Sequence, residues 1–125
     1  MIGCVILTHG DLCFGLKNTL EGMMGKQEGL LVISNLGLGK DQLSSKLKKV
    51  ITEERFKEGA VIFVDLFGSS CWQISKDVAS QNKNVAVVAG VNLPMLVKFF
   101  GKRETLSFEK LVSLVKEEGG KGIRS

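Results

Sequence analysis

The only histidine of the chain, His9, stands directly after an apolar run at the amino terminus. The run covers residues 1–7, includes β-branched side chains and is followed by Gly10, a pattern that predicts a buried strand ending in a tight turn. An imidazole at the end of a strand can attack an electrophile near neutral pH, because histidine ordinarily titrates between pH 5 and 8. His9 is therefore the first candidate for a catalytic residue.

Asp65 is the natural companion of His9, since it ends a second apolar run over residues 60–65. A carboxylate that accepts a hydrogen bond from the N–H at Nδ1 fixes the tautomer of an imidazole and leaves Nε2 with a free lone pair. It also stabilises the positive charge that develops when Nε2 attacks. The pair predicts a nucleophile and the group that orients it.

The surroundings of this pair favour an anionic electrophile, most simply a phosphoryl group. Predicted helices begin just after Gly10 and just after residues 69–70, and unpaired N–H groups at helix amino termini attract anions. Glycines let the backbone approach a ligand closely, and hydroxyls, that of Thr8 among them, add hydrogen bonds. The predicted phosphate-binding residues are Gly10, Gly68, Ser69 and Ser70.

No metal site and no cofactor are expected from the sequence. It has no aspartate cluster suited to magnesium and no Gly-x-x-x-x-Gly-Lys loop for a nucleotide. The phosphoryl group is therefore expected to come from a donor that already carries it in labile form, with transfer governed by positioning and electrostatics.

Strands and helices alternate along the chain, as in an α/β protein with a parallel sheet. Strands are predicted over residues 1–7, 30–34, 60–65 and 84–89; helices are predicted over 12–24, from Asp41 as a cap to about Phe56, over 71–79, over 94–100 and from Ser107 as a cap. Right-handed crossovers favour a doubly wound sheet of order 2-1-3-4. Its switch point lies between the first and third strands, which places His9 and Asp65 on facing sides of one crevice.

Composition limits the classes of protein to consider. A chain of 125 residues predicts one domain, 1–125, and the net charge of +4 is spread without a run of five like charges, so a nucleic-acid groove is not expected. Three widely spaced cysteines fit a reducing cytoplasm, and the seven-residue apolar run is too short for a signal peptide or a membrane span.

Three large apolar residues near the predicted site leave two interpretations open. Phe67, Trp72 and Met95 either line a surface that binds a partner protein or pack in the core. Cys71, near the start of a predicted helix, is a candidate for a thiol of low pKa and hence for a cysteine enzyme.

At the level of motifs, the chain resembles the IIA component of the mannose-type sugar phosphotransferase system over nearly its whole length. The matching segments are Thr-His-Gly-Asp-Leu at 8–12, Gly-Lys at 25–26, Val-Asp-Leu-Phe-Gly at 64–68, Gly-Val-Asn-Leu-Pro-Met-Leu at 90–96 and Gly-Ile-Arg at 122–124. The segments at 64–68 and 90–96, in that order along the chain, make the resemblance specific.

The resemblance implies a phosphocarrier. The histidine matched by His9 accepts a phosphoryl group from the carrier protein HPr and passes it to a IIB component, which phosphorylates the sugar that a membrane IIC/IID pair transports. The aspartate matched by Asp65 holds the imidazole. Members are homodimers, and a short carboxyl-terminal strand, here around Ile123, can cross to the other subunit.

One loop departs from the family pattern. The family usually has Gly-Gly-Ser-Pro-(Phe or Tyr)-Asn where this chain has Gly-Ser-Ser-Cys-Trp-Gln at 68–73. Because that loop forms one wall of the predicted phosphate site, a diverged, non-catalytic module that senses phosphotransfer partners is the alternative function.

A receiver-like domain phosphorylated on Asp65 would need an acidic pair where Thr8 and His9 stand. The sequence does not identify the sugar.

Overall fold

The computed structural model describes all 125 residues and contains four strands and five α-helices. In chain order they are β1 (Gly3–Thr8), α1 (Leu12–Met24), β2 (Leu30–Ser34), α2 (Lys40–Ile51), β3 (Ala60–Val64), α3 (Ser70–Ser80), β4 (Val85–Ala89), α4 (Leu93–Lys102) and α5 (Phe108–Lys121), with a short 3₁₀ turn, Glu54–Phe56, before β3. No helix has both the length and the apolar character needed to cross a membrane.

The four strands form one parallel sheet in the order β2-β1-β3-β4, which confirms the predicted doubly wound α/β fold. β1 and β3 lie at the centre and are buried along their whole length. Continuous apolar sequence is typical of parallel strands that helices cover on both faces. The edge strand β4 is only partly buried.

Alternation of side chains along the strands divides the core into two layers. Ile6 of β1 and Phe63 of β3 point towards α1, α4 and α5, while Val5 and Ile62 point towards α2 and α3. On the first face, the rings of Phe63 and Phe99 meet edge to face with centroids 5.6 Å apart. The buried central strands hold the sheet rigid beneath the loops at its carboxyl edge.

The start of α2 differs from the prediction. Its amino-terminal cap is Gly39, whose N–H donates to Gln42 Oε1, and Asp41 lies within the first turn instead of capping the helix. Phe56 belongs to the 3₁₀ turn rather than to α2, yet it is buried in the same core layer. Its ring fills the space that a side chain on Gly3 would need, so packing places it there.

The carboxyl terminus is more helical than its glycines predict. α5, capped by Ser107 as expected, continues through Gly119 and Gly120 to Lys121. A Cβ on Gly119 would lie 2.5 Å from the side chain of Met95, so the glycine permits the close approach of α5 to α4. Residues 122–125 form no strand within the single chain.

Candidate functional site

Adjacent strands bring His9 and Asp65 together at the carboxyl edge of the sheet. Leu7 of β1 pairs with Val64 of β3, so the chain reaches His9 two residues beyond this pair and Asp65 one residue beyond it. The two functional groups are therefore neighbours although 56 positions separate them. The crevice expected at the switch point is the place where they meet.

Three contacts join the two residues. The His9 N–H donates to Asp65 Oδ2 over 3.0 Å, and His9 Nδ1 lies 2.8 Å from Oδ2 and 3.0 Å from Oδ1. The N–H of Leu66 donates to Oδ1 over 3.0 Å. Because an ionised carboxylate can only accept, Nδ1 carries the ring proton and Nε2 keeps its lone pair. The ring is 39% exposed and the carboxylate 11%, so the imidazole is the more accessible member of the pair.

The charge state of Asp65 is set by opposing effects. Burial raises the pKa of the Asp65 carboxyl, but the hydrogen bonds from the His9 backbone and ring, together with the positive charge on a protonated ring, lower the pKa further than burial raises it. The net pKa lies below the usual range of an aspartate. The carboxylate is therefore ionised throughout the neutral range.

This lowered pKa predicts a pH-dependent contribution to stability. A carboxyl whose pKa is lower in the folded than in the unfolded chain stabilises the fold above its unfolded pKa, and the stabilisation disappears as the pH falls through the folded value. We expect the free-energy gap between wild type and Asp65→Asn, measured by urea unfolding, to be present at about pH 5 and to shrink as the pH falls below about 4. A gap that widens in acid would contradict the structure.

The turn that carries His9 is held by the end of β2. Gly10 adopts a left-handed conformation with φ of 58°, its N–H donates to Asn35 Oδ1 over 3.1 Å, and its carbonyl accepts from Ser34 Oγ over 2.7 Å. Ser34 and Asn35 were not predicted as site residues. Ser34 ends the second strand and Asn35 follows it, and this strand neighbours the first in the predicted order, which was the available signal.

The Thr8 hydroxyl is not available to a ligand. Thr8 is fully buried, and its Oγ1 accepts the N–H of Cys13 in the first turn of α1 over 2.8 Å. Its expected role at a phosphate is therefore corrected: the side chain caps the helix that follows His9. The N–H of Gly10 is likewise engaged, since it donates to Asn35 Oδ1.

The amino terminus of α3 supplies free donors. Ser69 caps the helix: its Oγ accepts the Trp72 N–H over 3.3 Å and donates to the Leu66 carbonyl over 2.8 Å, so this hydroxyl is engaged. The backbone N–H groups of Ser70 and Cys71 have no hydrogen-bond partner. Gly68, with φ of 80°, forms the turn that leads into them.

The first turn of α3, which carries these free N–H groups, approaches the nucleophilic nitrogen. Cys71 Sγ is 4.0 Å from His9 Nε2, so the first turn of α3 is next to the atom that would attack. Burial, with a smaller effect from the Asp65 charge, raises the pKa of the Cys71 thiol to about 11. The raised pKa does not support a low-pKa, reactive Cys71, because burial and the Asp65 charge both disfavour its thiolate.

The three residues predicted to bind a partner occupy different environments. Phe67 is 78% exposed beside the site, and its ring packs on that of Trp72 with centroids 4.6 Å apart. Met95 is buried in the core layer under α4 and α5, so it supports this surface from below and offers a partner almost no area. Exposed Leu66 was not predicted and extends the apolar surface next to Asp65.

A groove of about 760 Å³ starts at Asp65 and runs along the open edge of β4. Its walls include Phe67, Trp72, Val87 and the carboxyl-terminal Ile123, whose side chain is 82% exposed. The groove connects the site to the end of the chain.

Comparison with known proteins places this architecture in a family. Residues 3–116 match the sequence model of EIIA-man, described as "PTS system fructose IIA component". The chain is 30% identical over 126 residues to the mannose-specific EIIAB component of Escherichia coli K12, covering 99% of this chain and 39% of that protein. The chain thus spans about two fifths of the length of that relative.

Two further proteins agree. The fructose-specific EIIA component of Bacillus subtilis strain 168 is 26% identical, over 93% of this chain and 80% of its own. The crystal structure of an EIIA component from Streptococcus agalactiae superposes with a TM-score of 0.92 and 23% identity, covering 100% of this chain and 97% of the other, and so shares the fold. Since the family model matches most of the sequence, the chain belongs to the EIIA-man family of phosphotransferase-system IIA components.

Proposed function

We propose that the chain is a cytoplasmic phosphocarrier in which His9 Nε2 accepts a phosphoryl group from an HPr-like protein and passes it to a IIB component. The observation that carries the proposal is the contact of Asp65 with His9 Nδ1 at 2.8 Å, which fixes the tautomer of the neutral ring and leaves its lone pair on Nε2. Membership of the IIA family, together with the names of the relatives, supports the same role.

The transfer step balances without a cofactor. The Nε2 lone pair forms a bond to phosphorus, the bond between phosphorus and the donor atom breaks, and the donor keeps that electron pair. The proton on Nδ1 stays in place, and the ionised Asp65 stabilises the positive charge of the ring. The ring then needs no separate base.

The negative charge of the transferring phosphoryl group would lie at the first turn of α3. The free N–H groups of Ser70 and Cys71 and the helix dipole favour phosphoryl oxygens next to Nε2. Ser70, which starts the helix and is only half-buried, adds a hydroxyl within the same turn. Gly68 and Ser69 contribute the turn and the cap that aim these donors.

The apolar surface beside Asp65 suits protein partners. Leu66 and Phe67 expose 61% and 78% of their surface next to the half-exposed imidazole. Exposed aromatic and aliphatic side chains around a reactive group are typical of a docking surface. The HPr-like donor and the IIB acceptor would bind here in turn, and the membrane IIC/IID pair would act only through IIB.

Incubation of the chain with HPr, its activating enzyme and labelled phosphoenolpyruvate tests this role. We expect one phosphate per chain, labile in acid and stable in base, as for a phosphohistidine. A chain that binds HPr stably but takes up no label would instead support the non-catalytic sensing module that the altered 68–73 loop suggests. Base-labile label would place the phosphoryl group on Asp65.

Homodimerisation is proposed from the open edge of the sheet. β4 pairs only with β3, and a groove lined by Val87 and Ala89 lies along its other side. An unpaired, apolar strand edge is usually covered in a native protein. The exposed segment around Ile123, taken from a second copy, is the proposed cover.

Removal of residues 120–125 should therefore convert a dimer into a monomer, halving the mass measured by sedimentation equilibrium. Ile123→Ser keeps the chain length and should weaken the dimer, while Leu36→Ser, an exposed residue that follows β2 at the opposite edge of the sheet, should not. Identical masses for the full and shortened chains would contradict exchange of the tail.

A further inference from the structure

Cys71 is the only side chain besides Asp65 that contacts a ring nitrogen of His9. It is the second residue of α3, its side chain is fully buried, and its Sγ lies 4.0 Å from Nε2. The other two cysteines, Cys4 and Cys13, are also fully buried but pack in the opposite core layer. The contact is thus particular to one of three equally buried thiols.

The protonation states of the two groups are complementary. Burial, and secondarily the Asp65 charge, raise the pKa of the Cys71 thiol to about 11, so at neutral pH it carries its proton. Nδ1 donates to Asp65, so Nε2 is an acceptor. A protonated thiol facing an unprotonated ring nitrogen can donate an S–H···N hydrogen bond.

We propose that Cys71 is a positioning residue for His9, its S–H donating to Nε2 so that Cys71 and Asp65 hold the neutral imidazole from both sides. The thiol also competes for the lone pair that would bind phosphorus. The first part stands on the contact alone; the competition rests on the proposed function.

The competition between the thiol and phosphorus for Nε2 shifts the phosphorylation equilibrium in one direction. A bond that exists only while Nε2 is free stabilises the unphosphorylated chain and so favours passing the phosphoryl group on. Cys71→Ala should raise the equilibrium ratio of phosphorylated to free His9 against HPr roughly two- to fivefold, the low end of what one hydrogen bond is worth. Cys13→Ala, which removes a sulfur from the opposite core layer, should leave the ratio unchanged.

The S–H stretching band in the Raman spectrum tests the contact without any phosphorylation. Subtracting the spectrum of Cys71→Ala from that of the wild type isolates the S–H band of Cys71. Subtracting the spectrum of the double variant His9→Ala/Cys71→Ala from that of His9→Ala isolates the same band when its acceptor, the His9 ring, is missing. We expect the wild-type band at lower frequency, as for a bonded thiol, and the band in the His9→Ala background at the frequency of a free one. Cys71→Ser replaces Cys71→Ala in the subtraction if the alanine variant does not fold.

Equal band positions in the two backgrounds, or no Cys71 band because the group is a thiolate, would overturn the proposal. A shifted band in a protein that takes up no phosphate would refute the phosphocarrier role and leave the positioning contact standing. A shifted band with an unchanged or lowered phosphorylation ratio in Cys71→Ala would overturn the competition.

Discussion

Replacing His9 with alanine should abolish phosphorylation of the chain by HPr and phosphoenolpyruvate, reducing the label to background. His9 is the only histidine, so no second imidazole can substitute, and the ring is partly exposed, so its removal leaves both core layers intact. The measurement is the stoichiometry of acid-labile phosphate per chain. Thermal unfolding of the variant near the wild-type temperature would show that the loss is chemical.

Cys13→Ala is the matched control for His9→Ala. Cys13 follows His9 by four residues, but it is a residue of α1 whose side chain is buried in the core, so its variant should label normally. Undiminished label in His9→Ala would show that another residue carries the phosphoryl group and would discard the assignment.

Asp65→Asn should slow phosphoryl transfer about a hundredfold or more, within the range by which positioned acid–base groups change rates. In the wild type the carboxylate accepts a hydrogen bond from the N–H at Nδ1. A carboxamide can instead donate a hydrogen bond from its NH₂ group to Nδ1. The ring proton would then move to Nε2 and occupy the lone pair that attacks phosphorus. Single-turnover rapid quench with phosphorylated HPr measures the effect as a rate.

Asp77→Asn provides the control for this substitution. Asp77 is an exposed carboxylate on α3, so its loss changes the net charge equally without touching the imidazole. We expect a rate within about twofold of wild type, since isolated surface charges contribute little. Equal slowing by the two variants would mean that net charge, and not the contact with Nδ1, governs transfer.

The sheet and the catalytic pair followed from sequence because their signals are local. β1 and β3 are continuous apolar runs of the kind that only a doubly covered parallel sheet buries, and their carboxyl ends adjoin in the order 2-1-3-4. That order is enough to bring His9 to Asp65.

Several other details differed from the prediction, some because of local hydrogen bonds and some because of tertiary contacts. The Thr8 and Ser69 hydroxyls cap helices instead of facing a ligand, because each lies within reach of a free N–H in the first turn. Ser34 and Asn35 reach the His9 turn only across the sheet. Gly119 and Gly120 remain helical where α5 packs against α4, although glycine is a poor helix former.

At position 71 the chain has cysteine where the family pattern has proline, and this difference changes the site while its other parts remain in place. Proline has no backbone N–H, whereas Cys71 presents a free one in the first turn of α3 and adds a thiol beside Nε2. The cap, the turn and the contact between His9 and Asp65 are all present around it. The altered loop is thus compatible with a working phosphocarrier.

The phosphorus–nitrogen coupling in the phosphorylated chain tests the central claim most directly. With ¹⁵N-labelled histidine, the single imidazole gives two ring resonances, and we expect direct coupling of phosphorus to Nε2 while Nδ1 keeps its proton and donates it in a hydrogen bond to Asp65. Coupling to Nδ1, or phosphate attached to any residue other than His9, would contradict it.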